Sequence, residues 1–116
     1  MVCALEIKAK HPTRSVSVHN FGQPRTGNEK LAIFTGQVLE SVFRVVHNKD
    51  IAPHIPERGL VRHYHHPGRE VFFNEEMSEY QVCDPSGEDP GCSNKFDSYE
   101  WSEHDFYFMH ISQVQC

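Results

Sequence analysis

The segment VFRVVHN (42–48) constrains the fold most, because its apolar and β-branched residues run almost without interruption. A nearly continuous apolar strand is typical of a parallel sheet that is covered on both faces. The chain before it adds a short helix in MVCALEIKAKHP (1–12), a strand in SVSVHNF (15–21) and a helix after Thr26. This helix–strand–helix–strand order predicts an α/β fold with a mostly parallel sheet flanked by helices.

The two predicted helices are recognised by their end signals and by the spacing of their apolar residues. Pro12 ends the first helix, and Thr26 followed by Glu29 is a capping-box pattern at the start of the second. The first helix contains Cys3, which we expect to be a buried thiol. The residues that recur at helical spacing are Val2, Leu5 and Ala9 in the first helix and Leu31, Phe34, Val38 and Val42 in the second.

The second half of the chain predicts a pair of strands and a small disulfide loop. The strands are REVFFN (69–74) and MSEYQVC (77–83), joined by a short polar connection. Cys83 and Cys92 then enclose DPSGEDPG, a spacing that suits a disulfide and is too wide for a zinc knuckle. An oxidised pair implies a secreted or lumenal compartment. Cys116 has no evident partner in the sequence.

Charge and hydropathy argue against two classes of partner. The formal net charge is −5 and Lys and Arg do not cluster, which argues against nucleic acid and against an anionic membrane as the main partner. No apolar run approaches the roughly 20 residues that a membrane-spanning helix needs. Nine histidines would take the formal charge from −5 to +4 if all were protonated (−5 plus 9), so charge-dependent behaviour is expected to change between about pH 7 and pH 5.

The histidine-rich stretch RHYHH (62–66) raises the hypothesis of a metal site. His63 and His65 would share one face of a strand, and Glu70 would complete a zinc-binding set. A polar loop accounts for the same residues. We favour the loop, and predict neither a metal nor an organic cofactor.

The strand at 42–48 is followed at once by Asp50 and then by two prolines. In parallel α/β sheets, catalytic groups lie just past the carboxyl ends of strands. However, Asn48, Lys49 and Asp50 together are also good turn chemistry. Position alone therefore leaves Asp50 open as either a catalytic acid or a turn residue.

A resemblance to a known family rests on four segments, FGQPRTGN (21–28), FRVVHNKDIAPHIP (43–56), HPGREVFF (66–73) and EHDFYF (103–108). Together they resemble segments of the class 3, or fungal-type, triacylglycerol lipases. FGQPRTGN (21–28) is similar to their FGxPRxGN signature, and FRVVHNKDIAPHIP (43–56) resembles the segment with their catalytic Asp. HPGREVFF (66–73) resembles the His-then-strand segment that follows, and EHDFYF (103–108) the segment with their catalytic His. The four occur in the family's order, at about its spacing, over nearly the whole chain.

The resemblance implies an α/β-hydrolase fold and a Ser-Asp-His triad in that chain order. It matches Asp50 to the triad acid, His104 to the triad base, and Cys83 and Cys92 to a family disulfide. The implied substrate is a triacylglycerol or related lipid ester at a lipid–water interface. The implied location is extracellular or in the secretory lumen, and residues 1–116 would form one partial hydrolase domain.

The sequence departs from the family at the nucleophile, because none of its serines lies in a G-x-S-x-G elbow. MVCALEIKAKHP has no signal-peptide pattern and looks like the helix after the elbow. We therefore expect the C-terminal portion of the fold without its N-terminal half, inactive by itself. The alternative is a non-catalytic remnant that binds lipid or protein. Its binding surface would use the aromatic residues Phe72, Phe73, Trp101, Phe106, Tyr107 and Phe108.

Overall fold

The computed structural model of the protein describes residues 1–59 and 63–110. Cys116 and Arg62, which entered the predictions above, lie outside the described residues. Two α-helices precede most of the sheet, and short 3₁₀ turns cover Ala52–His54, Ser93–Lys95 and Ser102–Asp105 of the described chain. The helices and strands are α1 (Val2–Lys10), β1 (Ser17–Phe21), β2 (Gly27–Asn28), α2 (Glu29–Val38), β3 (Ser41–His47), β4 (Tyr64–His65), β5 (Arg69–Phe73), β6 (Tyr80–Val82), β7 (Phe106–Tyr107) and β8 (Met109–His110).

A four-stranded sheet with the order β1-β3-β5-β6 forms the centre of the molecule. Strands β1 and β5 run parallel to β3 on either side of it, and β6 runs antiparallel to β5 at one edge. Two-stranded pairs, β2 with β4 and β7 with β8, lie outside this sheet. The predicted α/β fold with a mostly parallel sheet is confirmed.

The two faces of strand β3 are buried to different extents. Val42, Arg44 and Val46 are buried, whereas Phe43 and Val45 on the other face are only half-buried. The prediction of a strand covered on both faces is therefore met fully on one face only. A guanidinium at the centre of the buried face needs partners, because an unpaired buried charge is costly.

The partners of Arg44 come from β5 and from the loop that the disulfide closes. Its Nη2 donates to the Gly87 carbonyl oxygen at 2.8 Å and lies 3.4 Å from Glu70 Oε2. Glu70 Oε1 accepts a hydrogen bond from the Ser93 amide at 2.9 Å. Burial lowers the pKa of Arg44, and the charge of Glu70 opposes that shift. The ion pair thus joins β3 to β5, and the hydrogen bonds to Gly87 and Ser93 join the middle of the sheet to the disulfide loop and the residue after it.

The predicted disulfide between Cys83 and Cys92 is present. Both cysteines are buried and pack with Phe72 of β5 and with Phe96. The predicted strand 77–83 is shorter than expected and begins at Tyr80, because the preceding residues form a turn around Asn74. Asn74 Oδ1 accepts from two backbone amides of that turn, at 2.9 and 3.1 Å.

Helix α2 begins differently from the capping-box prediction, which was wrong. Its N-cap is Asn28, whose side chain accepts from the Leu31 amide at 3.1 Å. Thr26 lies too far ahead of the first helical residue, Glu29, to act as the cap. The buried side of the helix is formed by Ala32, Thr35 and the C-cap Leu39, whereas Phe34 from the predicted apolar face is half exposed.

Helix α1 contains no buried residue and packs along α2. Cys3 is exposed, so the prediction of a buried thiol was wrong. The reason is that the side of α1 that faces α2 carries Leu5 and Ala9. These two residues line a shallow groove together with Phe34 and Val38 of α2. Neither helix of the described chain is long and apolar enough to cross a membrane.

Candidate active site

The turn after β3 places Asp50 at the edge of the sheet. Asn48 takes a left-handed conformation with φ +38°, and Asp50 follows with its side chain fully buried. Its main chain forms a parallel bridge with Glu100. The Glu100 amide donates to the Lys49 carbonyl at 2.8 Å, and the Ile51 amide lies 3.4 Å from the Glu100 carbonyl. This bridge brings the loop that carries His104 against the end of β3.

The carboxylate of Asp50 accepts three hydrogen bonds. Oδ1 accepts from the Ala52 amide at 2.8 Å. Oδ2 accepts from His104 Nδ1 at 2.9 Å and from the Tyr107 hydroxyl. Burial, together with the neighbouring charge of Asp50, raises the pKa of Tyr107, so the phenol stays protonated and donates. The three donors fix the plane of the carboxylate and hence the direction in which it holds His104.

His104 lies on the 3₁₀ turn Ser102–Asp105, and one third of its side chain is exposed. Because Nδ1 is bound to Asp50, Nε2 is the ring nitrogen that remains for a second group. Trp101 meets the imidazole edge to face, with ring centroids 6.1 Å apart. The ring is therefore oriented by a buried carboxylate and reachable from solvent.

Gly22 closes the site from the β1 side. Its φ is +55°, and a Cβ built there would lie 2.7 Å from His104 Cε1 and Nδ1 and 2.9 Å from Asp50 Oδ2. Its amide donates to the Val45 carbonyl at 3.0 Å, which ties this backbone to β3. A side chain at this position would occupy the space that His104 and the Asp50 carboxylate fill.

The structure brings together the two residues that the resemblance selected, although they are 54 positions apart. Sequence reasoning missed the roles of Tyr107 and Gly22. Both stand inside quoted segments, EHDFYF and FGQPRTGN, but Tyr107 was considered only as an aromatic residue. Of the remaining aromatic residues, Phe72 is buried, Phe73 and Phe106 are half-buried, and Trp101 and Phe108 are exposed.

The metal hypothesis finds no cluster to support it in the described ranges. Glu70 is committed to Arg44 and to the Ser93 amide, and His65 Nε2 bonds the Ser86 carbonyl at 2.8 Å. Among residues 1–59 and 63–110, the three-residue group of possible ligands is Glu70 with Cys83 and Cys92. Its two sulfurs are joined to each other, which removes them as metal ligands.

Two neutral histidines lie beneath the site. His66 Nε2 donates to the Pro53 carbonyl at 2.7 Å, and burial followed by the charge of Arg44 lowers the pKa of His66 to about 3. His54 stacks on Tyr99 with centroids 3.7 Å apart, and burial followed by the charge of Arg25 lowers the pKa of His54 to about 4.

The cation beside these histidines, Arg25, is itself paired. Its Nε and Nη2 form a two-point ion pair with Glu88, both at 2.8 Å. Its Nη1 donates to the carbonyls of His54 and Pro56 at 2.7 and 3.0 Å. These two carbonyl contacts hold the segment that follows Asp50 in place.

A family model described as lipase (class 3) matches residues 1–60, just over half of the chain. The chain belongs to the class 3 lipase family. A lipase of Rhizopus niveus is 27% identical over 103 residues, which cover 89% of this chain and 26% of that protein. A triacylglycerol lipase of Arabidopsis thaliana is 32% identical over 81 residues, 66% of this chain and 16% of that protein.

Solved structures agree with this assignment. Lipase II from Rhizopus niveus superposes with a TM-score of 0.81 at 27% identity, over 92% of this chain and 41% of that one. The triacylglyceride lipase of Rhizomucor miehei gives the same TM-score and identity, over 92% of this chain and 42% of its own. The predicted fold, part of an α/β-hydrolase, is confirmed. This class 3 lipase chain spans about a quarter of the curated Rhizopus relative and about two fifths of the solved lipases.

Proposed function

We propose that Asp50 and His104 are the acid and base of a Ser-Asp-His triad in a lipase-type carboxylic ester hydrolase. The observation that carries the proposal is the 2.9 Å contact between His104 Nδ1 and the fully buried Asp50 carboxylate. The substrate would be a triacylglycerol or a related lipid ester at a lipid–water interface. Residues 1–116 would be one part of the hydrolase domain.

The chemistry follows from the pair. A serine hydroxyl is a weak nucleophile and needs a base to take its proton. His104 would accept that proton at Nε2, while Asp50 holds the ring in the tautomer with hydrogen on Nδ1 and stabilises the imidazolium. Tyr107 and the Ala52 amide hold the carboxylate in the orientation that this requires. His104 would then return the proton to the leaving alcohol.

The nucleophile is proposed to come from a segment outside these 116 residues, since no serine of the sequence lies in a G-x-S-x-G pattern. The chain by itself is then expected to show no triad-dependent hydrolysis and no labelling by a fluorophosphonate. The Cys83–Cys92 disulfide is consistent with an oxidising compartment. We propose a location outside the cell or in the secretory lumen, with no nucleic-acid partner.

The proposal is tested by fusing this chain behind the part of the Rhizopus niveus lipase that precedes its aligned segment. The fusion should hydrolyse tributyrin. His104→Ala should lower kcat by about 10⁶-fold and Asp50→Asn by about 10⁴-fold, as triad losses do elsewhere. His110→Ala and Asp105→Asn are matched controls, because both side chains are exposed nearby, and they should leave kcat within a factor of two or so.

Activity that survives His104→Ala would refute the assigned base. A second candidate, a non-catalytic lipid-binding remnant, is favoured by the exposed Trp101 and Phe108, at 59% and 55%. That candidate predicts an inactive fusion and a chain that binds phosphatidylcholine vesicles, with binding weakened by Trp101→Ala. The triad proposal predicts an active fusion whatever the vesicle result.

A further inference from the structure

His47, the last residue of β3, contacts a main-chain oxygen with each of its ring nitrogens. Nδ1 lies 3.0 Å from the Glu103 carbonyl and Nε2 lies 2.9 Å from the Glu75 carbonyl. The ring is buried, with only 3% of its side chain exposed. It therefore connects β3 to two loops at once, the turn between β5 and β6 and the 3₁₀ turn that carries His104.

We propose that His47 is a positioning residue that sets the place of His104 by holding the residue before it, Glu103. We call the contacts of His47 with Glu103 and Glu75 the His47 clamp. The functional meaning of this inference rests on the triad role proposed above, but the existence of the clamp does not. Three atoms of Glu103 make polar contacts with the end of β3 and the residue after it. Its carbonyl and its Oε2 lie 3.0 and 3.3 Å from His47 Nδ1, and its Oε1 accepts from Asn48 Nδ2 at 3.1 Å.

Carbonyl oxygens accept hydrogen bonds and never donate them. A ring with one proton satisfies only one of the two carbonyls and turns a lone pair toward the other. Both contacts are made only when both nitrogens carry protons, and the Glu103 carboxylate supplies the opposite charge at 3.3 Å. The geometry thus assigns His47 as a double donor, with Glu103 as its counter-charge.

The clamp matters for His104 because the two residues are adjacent in the chain. Glu103 cannot shift without moving the backbone of His104, whose Nδ1 must remain within reach of Asp50. A displacement of about 1 Å at a catalytic group can reduce the rate about 10²-fold. His47 would therefore act on the reaction through Glu103, without touching the reacting atoms.

Two substitutions distinguish the contact of His47 with Glu103 from its contact with Glu75. The amide nitrogen of Asn lies near the position of His Nδ1, and that of Gln lies near the position of Nε2. His47→Asn therefore keeps the donor to Glu103 and loses the donor to Glu75. His47→Gln keeps the Glu75 contact and loses the Glu103 contact. Both variants lose the charge of the ring, and each also loses one buried hydrogen bond to a carbonyl. A merely structural role therefore predicts similar effects from both.

The test uses NMR of the 116-residue chain with ¹⁵N-labelled histidine. In the wild type, both ring N–H groups of His47 and the Nδ1–H of His104 should give hydrogen-bonded proton signals. His47→Gln should abolish the His104 Nδ1–H signal and speed exchange of the His104 amide, which donates to the Trp101 carbonyl at 3.0 Å. His47→Asn should preserve both. In the tributyrin-hydrolysing fusion, His47→Gln should lower kcat about 10²-fold with KM unchanged. The kcat of the His47→Asn fusion should stay much closer to that of the wild type.

Equal behaviour of the two variants at His104, or a wild-type His47 with one ring proton, would overturn the inference. Failure of the triad proposal would look different. In that case the fusion is inactive or the wild type lacks the His104 Nδ1–H signal. The exchange rate of the His104 amide in the Asn and Gln variants then still decides whether His47 positions this turn.

Discussion

Replacing Gly22 by alanine tests how closely the loop after β1 packs against His104 and Asp50. Gly22 has φ +55°, and a residue with a Cβ costs roughly 1–2 kcal/mol in that conformation. The new Cβ would lie 2.7 Å from His104 Cε1, about 0.8 Å inside an ordinary carbon–carbon contact. Either the loop or His104 must move.

The magnitude follows from what His104 loses when it moves. A hydrogen bond to a charged group contributes about 1.5–3 kcal/mol, and the lower end applies here because a third of the side chain is exposed. With the backbone cost, Gly22→Ala should lower the free energy of unfolding by about 3 kcal/mol. For a chain of this size, Tm should fall by roughly 10 °C.

Gly36→Ala is the matched control. Gly36 lies inside α2, and a Cβ there would meet nothing within 4 Å. This substitution should raise the free energy of unfolding by up to about 1 kcal/mol through helix propensity. Urea unfolding followed by circular dichroism measures both variants. The reasoning is wrong if Gly22→Ala is as stable as the wild type and retains the His104 Nδ1–H signal.

Three further perturbations should be measurable by the same unfolding assay. Stability should fall as pH drops from about 6.5 toward 4, because His66 and His54, with pKa values lowered to about 3 and 4, take up protons only on unfolding. Protonation of His66 in the unfolded state alone should lower the free energy of unfolding by about 2 kcal/mol at pH 5. A free energy of unfolding that does not change with pH over this range would contradict the burial of His66. Glu88→Gln should cost about 3–5 kcal/mol, since it leaves Arg25 buried and unpaired, and an Arg25→Met/Glu88→Leu double variant should recover much of that loss. Asn28→Ala should cost about 1 kcal/mol, and no change would mean that the helix is capped by another group.

The local parts of the fold were predictable from the sequence because their signals are local. The run of β-branched residues in 42–48 predicted β3 to within one residue at each end, and the alternation before it predicted the parallel sheet. The disulfide of Cys83 and Cys92 followed from their spacing and from the loop between them. These elements depend on neighbours a few positions away.

The interior polar contacts were not predictable in the same way, because their partners are far apart in sequence. Arg44 meets Glu70 26 positions away, and Tyr107 meets Asp50 57 positions away. No periodicity links such residues, so Glu70 was considered for a metal site instead. Asp50 itself was ambiguous by position alone, and only the family resemblance joined it to His104.

The sequence also predicted the wrong buried face for helix α2. Leu31, Phe34 and Val38 form a regular apolar series, yet α2 buries Ala32 and Thr35. Small side chains allow the helix to lie close to its neighbours, and Thr35 satisfies its hydroxyl by donating to the Leu31 carbonyl at 2.8 Å. Hydrophobicity scales rank Phe34 above both, so the series alone selects the wrong face.

The main-chain bridge between Asp50 and Glu100 also lowers the conformational entropy that the chain loses when His104 reaches Asp50. Measured along the chain, the contact between Asp50 and His104 closes a loop of 54 positions. Once the Glu100 amide is bonded to the Lys49 carbonyl, only the four positions from Glu100 to His104 remain to be ordered. Loop closure costs about 0.6 kcal/mol for each doubling of length, so the bridge lowers the cost of bringing the imidazole to the carboxylate by roughly 2 kcal/mol. Because that bridge is made by backbone atoms, the side chains around it can vary without lengthening the loop.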